Sequence, residues 1–287
     1  MAERLNLDVD LVRGFVAVAE ARSFSRAGDR LLRSQSTVSL QIKRLEIILK
    51  RRLFDRTPRA VKLTAEGEAF LVDARRLLDA NDAAVARLTD PDLRGLVRLG
   101  TPEDFATSHL SEVLARFSKA HPHVALEVTC DLTLNLLARF EKGAFDLVLV
   151  KRQPSARADG IRVWREKLVW VAGGEFDVAD AENLPLVVSP APCVYRRRAT
   201  ETLDAMGRAW RVAYTCASLA GQSAAVRAGL GVTVLPRDMV PQGLRAIDGH
   251  GLPKLEDSEI AVLDAGNLST PARRLREHIV RSLEEGA

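Results

Sequence analysis

The chain has 287 residues, of which 47% are hydrophobic and 28% are charged, the balance of a globular protein with two or three domains. Its three cysteines are widely spaced, and neither a signal-peptide core nor an apolar run of membrane-spanning length occurs, so we expect a cytoplasmic protein without a disulfide framework. The net charge of +4 is uneven: residues 1–66 hold 14 basic and 8 acidic residues, a net charge of +6, and the remainder sums to −2.

Three short helices and a β-hairpin are predicted within residues 1–64. Apolar residues recur at helical spacing from Leu7 to Ala19, and a second helix is expected over about Ser25 to Leu32. A third helix, over about Gln35 to Leu49, carries a stripe of apolar residues suited to burial: Val38, Ile42, Leu45 and Leu49. The segment from Leu53 to Thr64 alternates in polarity around a Pro-containing turn, which predicts a two-stranded wing. This order is typical of a winged helix-turn-helix.

The third helix is the segment expected to enter a DNA groove. Small hydrogen-bonding side chains crowd its start, where free amides attract phosphate, and basic residues follow on its polar face. The candidate DNA contacts are Gln35, Ser36, Thr37, Ser39, Lys43 and Arg44, with Arg56 and Arg59 at the wing. Arg59, at the expected tip, is the candidate for minor-groove insertion. Simple N-capping by Ser34 or Ser36 is the alternative for the hydroxyl cluster, and a solvated basic surface is the alternative for the charge.

A long helix is predicted from Thr64 to about Asp90. Its apolar residues are spaced like a coiled-coil seam, with Asn81 in one seam position: Phe70, Ala74, Leu77, Ala84 and Leu88. Such a helix is a rod of roughly 35 Å whose apolar stripe needs a partner. The same helix of a second subunit is the expected partner, and packing against its own domain is the alternative.

After residue 92, short apolar strands alternate with helices, which indicates an α/β fold. Strands are predicted at Leu96–Gly100, Val124–Thr129, Asp146–Val150, Leu168–Val171, Leu186–Val188, Arg211–Thr215, Val232–Leu235 and Ile260–Leu263, and helices near Phe105–Ala120, Leu134–Glu141, Arg197–Met206, Ser218–Ala228 and Pro271–Leu283. About 190 residues of this kind favour two small lobes over one. With no nucleophile elbow, phosphate loop or metal-ligand cluster recognisable, we expect no catalytic residue, metal site or cofactor.

The chain resembles the LysR-type transcriptional regulators at many fixed spacings. The matching positions are Phe15, Ala19, Glu20, Ser23, Phe24, Ser25, Ala27, Leu31, Ser34, Gln35, Val38, Ser39, Gln41, Ile42, Leu45, Glu46, Leu49, Leu53, Phe54, Arg56, Leu63, Thr64 and Gly67. The stretch Ala225–Pro236 is similar to a helix–strand unit in the second lobe of the family's effector domain. Within the family, Arg211–Tyr214 and Gly251–Pro253 are similar to the branch that includes LrhA, HexA and PecT.

The resemblance implies an architecture and a set of partners. An all-α winged helix-turn-helix domain (1–66) and a linker or dimerisation helix (67–92) would precede a two-lobed α/β effector domain of periplasmic-binding-protein type (93–287). Lobe I would span about 93–164 and 265–287, and lobe II about 165–264. The implied partners are double-stranded promoter or operator DNA, a small-molecule effector between the lobes, and further copies of the chain, as a homodimer through the linker helix and a homotetramer.

Three residues depart from the family pattern. Gly28 stands where a second Ala is usual, which costs a helix roughly 1 kcal/mol. Leu40 occupies a position that is often Arg or Gln and can face bases. Lys50 stands where a Gly usually ends the third helix, so we expect this helix to run on or end differently.

Effector contacts are expected where strands end and helices begin, facing the cleft between the lobes. The candidates are Thr101, Glu103, Thr133, Lys151, Tyr195, Arg196, Ser218 and Thr233. For Thr101 and Glu103 the alternative role is capping a helix, with Thr101 as N-cap and Pro102 at the first helical position. The Glu103 carboxylate would discourage an anionic ligand unless Lys151 or Arg196 offsets it. Cys130 and Cys216 lie in or beside predicted strands, so buried thiols are expected ahead of oxidant sensors.

Two further function classes compete with the regulator. A cytoplasmic small-molecule binding protein or enzyme with an accessory basic domain is the first, but neither needs the basic N-terminus or the rod-like helix. A structural chromatin protein is the second, and it would explain the charge without the two-lobed domain. Binding to its own promoter region with a steep salt dependence would distinguish the regulator.

Overall fold

The computed structural model describes residues 6–284 except 58–59, 90–91, 155–158, 175, 177, 179–180 and 250. The described residues divide between two compact units, one drawn from Met1–Arg94, Val113–Val124 and Arg281–Ala287, the other from Gly95–Glu112 and Ala125–Val280. Among the helices that the structure describes, none is both long and apolar enough to cross a membrane.

The N-terminal part of the first unit is a three-helix bundle with a β-hairpin and a long helix. Its elements are α1 (Val9–Ala21), α2 (Phe24–Arg30), α3 (Gln35–Leu49), β1 (Phe54–Thr57), β2 (Ala60–Leu63) and α4 (Ala65–Thr89). The N-cap side chains of Asp8, Ser23 and Ser34 each accept a backbone N–H of the following turn. β1 and β2 pair antiparallel, with Phe54 opposite Leu63. The predicted winged helix-turn-helix is confirmed.

Phe15 lies at the centre of the core that orients α3. Its side chain is fully buried, and its ring centroid lies 5.3 Å from that of Phe54 and 5.0 Å from that of Phe70. On α3, Val38, Ile42 and Leu45 are fully buried in the same cluster. Burying side chains of this size is worth about 1.5–3 kcal/mol each, so α3 is held by its apolar side and its polar side faces outward.

The predicted seam of α4 is divided between two environments. Ala74 is fully buried and Phe70 packs on the helical core, while an ion pair of 2.7 Å joins Arg13 of α1 to Asp82 of α4. By contrast, the side chain of Leu77 is 47% exposed and that of Leu88 is 84% exposed. Packing within the chain therefore accounts for the first half of the seam and leaves the second half uncovered.

The second unit contains one five-stranded sheet and two smaller ones. The five-stranded sheet contains β3 (Gly95–Thr101), β4 (Val124–Cys130), β5 (Leu147–Arg152), β6 (Ile161–Glu166) and β12 (Ser258–Asp264), in the order β4-β3-β5-β12-β6. The smaller sheets have the orders β10-β7-β11, from β7 (Leu168–Gly173), β10 (Thr233–Pro236) and β11 (Leu244–Ile247), and β8-β9, from β8 (Leu184–Val188) and β9 (Trp210–Thr215).

Helices follow most of these strands. They are α5 (Glu103–Phe105), a π-helical turn (Ala106–Leu110), α6 (Ser111–Ala120), α7 (Thr133–Phe140), α8 (Val194–Met206), α9 (Leu219–Arg227), a 3₁₀ turn (Arg237–Met239) and α10 (Thr270–Glu284). The α/β architecture is confirmed.

Two strands and one pairing differ from the sequence-based expectation. β6 was not predicted because Arg162, Arg165 and Glu166 interrupt its apolar pattern, which an edge strand tolerates, and β11 is only four residues long. β12 pairs antiparallel with β5 and with β6. Residues 258–264, which the sequence division had assigned to lobe II, therefore lie in the same sheet as β3 and β5. That sheet is mixed, the β10-β7-β11 sheet is antiparallel and the β8-β9 pair is parallel.

Candidate functional sites

The outward face of α3 carries the residues predicted to contact DNA. Exposed side chains are those of Gln35, Ser36, Thr37, Lys43 and Arg44, and Ser39 is half-buried. The cap is Ser34, whose Oγ accepts from the Thr37 N–H at 3.2 Å and lies 2.8 Å from both the Ser36 and Thr37 hydroxyl oxygens. The N-capping alternative therefore belongs to Ser34, and the hydroxyls of Ser36 and Thr37 are oriented by it.

Two apolar side chains stand in the middle of this polar face. Leu40 is 67% exposed and Ile47 is 65% exposed. The sequence pattern singled out Leu40 as a departure from the family but did not include Ile47. The signal was present, because a buried stripe at 38, 42, 45 and 49 leaves 40, 43 and 47 on the opposite side of an α-helix.

The structure explains two of the departures from the family pattern, Gly28 and Lys50. A Cβ atom added at Gly28 would lie 2.7 Å from the carbonyl oxygen of Arg33, so the turn between α2 and α3 needs a glycine there. Lys50 adopts the left-handed conformation, with φ of 53°, and its N–H donates to the Ile47 carbonyl at 3.2 Å. α3 therefore ends at Leu49 with Lys50 as its left-handed cap, so of the two expectations, a longer helix or a different end, the longer helix was wrong.

The wing is tied to α3 through Glu46. Its Oε1 atom accepts the backbone N–H groups of Leu53 at 2.9 Å and Phe54 at 3.3 Å. This contact sets where the hairpin begins relative to the outward face of α3. The backbone of Arg56 lies in β1 opposite Val61, its side chain is outside the described part of the structure, and Arg59 lies outside the described residues altogether.

A cavity of about 390 Å³ in the second unit brings together most of the predicted effector residues. Its lining includes Glu103, Thr133, Lys151, Tyr195, Arg196, Ser218 and Thr233. Thr101 is fully buried and is not among the lining residues. The capping alternative for Thr101 is wrong: it ends β3, its hydroxyl donates to the Pro102 carbonyl at 3.4 Å, and Pro102 is the N-cap of α5.

Buried charges stand at the base of this cavity. Lys151 forms an ion pair with Asp104, and its Nζ lies 3.9 Å from the ring centroid of Tyr195. Glu166 is fully buried behind them; burial raises its pKa, although the charge of Lys151 opposes the shift. Burial, followed by the charge of Glu166, raises the pKa of Tyr195 well above its ordinary value.

Glu103 connects the two sides of the cavity. Its Oε2 atom accepts the N–H of Leu219, the first residue of α9, at 3.3 Å. Partial burial and then the charge of Glu103 raise the pKa of the nearby Cys130 thiol. Cys130 is itself exposed and Cys216 is intermediate, so the expectation of buried core thiols was wrong, because Cys130 ends an edge strand and Cys216 follows β9.

No three His, Cys, Asp or Glu side chains are placed to hold a metal ion within the described ranges.

A winged helix-turn-helix joined to a cavity-bearing two-lobed domain defines a DNA-binding regulator. The family models agree: residues 9–68 match "Bacterial regulatory helix-turn-helix protein, lysR family", and residues 91–284 match "LysR substrate binding domain". The chain belongs to the LysR family of transcriptional regulators.

Known relatives extend over most of the chain. The HTH-type transcriptional regulator DgdR of Burkholderia cepacia is 40% identical over 85% of this chain and 83% of its own. PecT of Dickeya dadantii is 34% identical over 88% of this chain and 80% of its own, so the similarity is not restricted to the PecT branch. The crystal structure of Vibrio fischeri DarR in complex with DNA has the same fold, with a TM-score of 0.54 at 18% identity, covering 96% of this chain and 99% of that one. These relatives are regulators and not enzymes.

Proposed function

We propose that this regulator recognises its operator through the outward face of α3 and the wing, under the control of a small molecule in the cavity of the second unit. The observation that carries the proposal is the face of α3 itself. Val38, Ile42 and Leu45 of its core-facing stripe are fully buried, while hydroxyl, amide and basic side chains remain exposed on the opposite side. A helix so oriented can enter a major groove with its N-terminal turn toward the bases.

Each side chain of the face has a role that follows from its chemistry. Gln35 suits the paired donor and acceptor of adenine, and Ser39 suits either base type. Lys43 and Arg44 suit phosphate or guanine. Leu40 suits the methyl group of thymine, which replaces the polar base contact that Arg or Gln would make at this position. We assign Ser36, Thr37 and Arg56 to phosphate contacts and Arg59 to the minor groove.

Fluorescence anisotropy with DNA from the chain's own promoter region tests this interface. Ser39→Ala and Arg59→Ala should each weaken binding several-fold, and Arg59→Ala should also make the salt dependence shallower by about one unit of slope because it removes one cation from the DNA interface. Lys142→Ala removes the same charge from an exposed position in the second unit and serves as the control. Equal affinities for all four proteins would overturn the interface.

We propose that a homodimer formed through α4 is the assembly that binds the operator. The exposed Leu77, Ala84 and Leu88 recur at intervals of seven and four residues and therefore share one helix face, and a symmetric pair of such faces buries the stripe. Paired recognition helices suit operators with two-fold symmetry. We further propose assembly of dimers into the homotetramer that the family resemblance implies.

We propose that the working division of the chain is a DNA-binding domain at 1–66, a linker helix at 67–92 and an effector domain at 93–287. The family matches over 9–68 and 91–284 support it. The pairing of β12 with β5 supports moving residues 258–264 into lobe I.

We place the protein in the cytoplasm, because a bacterial DNA-binding regulator acts where the chromosome is.

A further inference from the structure

We propose that the cavity takes an effector with a protonated amino group and an apolar body, and that Glu103 is the residue that selects it. This inference rests on the proposed effector role of the cavity and names the chemical class of its ligand. Three features carry it: the charge balance of the lining, the groups at two helix starts, and the apolar walls.

The ionisable lining residues have an acidic excess. The acidic side chains are Glu103, Asp104 and Asp131, and the basic ones are Lys151 and Arg196, a formal net charge of −1. Both cations are already engaged. Lys151 pairs with Asp104 and lies over the Tyr195 ring, and Arg196 Nη1 donates to the Ser189 carbonyl at 3.3 Å. Each cation therefore already has a partner within the chain.

Two of the helix starts beside the cavity are occupied by carboxylates of the chain. Helix N-termini ordinarily attract anions through their free amides. At the start of α9, Glu103 Oε2 accepts the Leu219 N–H at 3.3 Å. Before α7, Asp131 Oδ1 accepts the Leu132 N–H at 2.7 Å and an Asn135 side-chain N–H at 2.8 Å. A ligand carboxylate would therefore meet a negative charge at either of these two helix starts.

The walls of the cavity supply an apolar surface beside these carboxylates. They include Leu132, Trp170, Leu186, Val188, Val232 and Leu235. Glu103 is half-buried, and its charge contributes to the raised pKa of the nearby Cys130 thiol. An ammonium group beside Glu103 would make a charge-assisted hydrogen bond while its hydrocarbon part packs on the walls.

Isothermal titration calorimetry on the full-length protein, with three probes that share a branched aliphatic part, tests the ligand class. The probes are 3-methylbutylamine, leucine and 4-methylpentanoate, which carry an amine, both groups and a carboxylate. We expect the amine-bearing probes to bind at least tenfold more tightly than 4-methylpentanoate. Glu103→Gln keeps an oxygen acceptor for Leu219 but removes the charge, and it should abolish this preference. Glu112→Gln, an exposed acid of α6, is the matched control.

The outcomes separate the ligand class from the role of the cavity. Preference for 4-methylpentanoate, absence of binding by both amine-bearing probes, or an amine affinity unchanged in Glu103→Gln would overturn the assignment to amines. Ala217→Trp places a large side chain at an exposed rim position of the cavity and should block every probe that binds there. If a probe binds equally well to Ala217→Trp, the cavity is not its site, and the proposed function fails independently of the ligand class.

Discussion

Replacing Gly28 by alanine separates what helix propensity predicts from what packing predicts. Gly28 lies within α2, where alanine is favoured over glycine by about 1 kcal/mol. The contacts in the structure predict that alanine does not stabilise the protein at this position. The new Cβ atom would lie 2.7 Å from the Arg33 carbonyl oxygen and 3.3 Å from the Gln35 nitrogen. Both atoms are backbone, so relief requires a shift of the turn that positions α3.

The magnitude follows from setting these two effects against each other. Overpacking of a rigid site costs about 1–3 kcal/mol, so Gly28→Ala should be neutral to destabilising by about 2 kcal/mol. Gly14→Ala in α1 is the matched control. Its Cβ atom would meet only the Gln41 side chain, at 3.1 Å from Oε1, and a side-chain end can move. Gly14→Ala should therefore gain up to about 1 kcal/mol, so the two variants should differ by up to about 3 kcal/mol.

Hydrogen exchange followed by mass spectrometry on the full-length protein is the suitable assay, because it reports local opening of residues 24–49 in a chain with two units. The three tryptophans all lie after residue 160, so their fluorescence does not report on α2. Operator affinity should fall with Gly28→Ala and not with Gly14→Ala. Slower exchange in Gly28→Ala than in the parent protein would refute the packing explanation.

Three further predictions concern other parts of the chain. Lys50→Gly should slow exchange at the end of α3 by the equivalent of about 1 kcal/mol, because a non-glycine residue in the left-handed region costs roughly that much; unchanged exchange would contradict it. Glu166 has a folded pKa above its ordinary value of 4.5, so the stability that its protonated form contributes is present below about that pH and is lost as the pH rises through the folded pKa. We therefore expect the difference in unfolding free energy, parent protein minus Glu166→Gln, to decrease from pH 4.5 upward. Tryptophan fluorescence monitors both unfolding transitions, and a difference that does not change with pH would refute the raised pKa. Leu77→Asp combined with Leu88→Asp should convert dimers to monomers in sedimentation velocity at unchanged helix content, and persistence of the dimer would place the interface elsewhere.

Local patterns in the sequence were sufficient for the helices and the wing. The apolar stripe at Val38, Ile42 and Leu45 predicted both that α3 is a helix and which side of it is buried. Such patterns work because a helix with one covered face needs apolar residues at a fixed period, whatever covers them. The same reasoning selected eight candidate effector residues, seven of which line the cavity, because strand ends and helix starts can be recognised from neighbouring residues alone.

The tertiary structure decided which groups meet. Sequence periodicity gives α4 one continuous seam, yet only packing against α1 shows that Ala74 is covered and Leu88 is not. Glu103 accepts from a backbone amide 116 positions away, and no local pattern predicted that contact. Periodicity is a property of nearby residues, whereas a partner is chosen by the path of the whole chain. The sequence by itself therefore determined the elements and their buried faces, and only the tertiary structure decided the charge that an effector would meet.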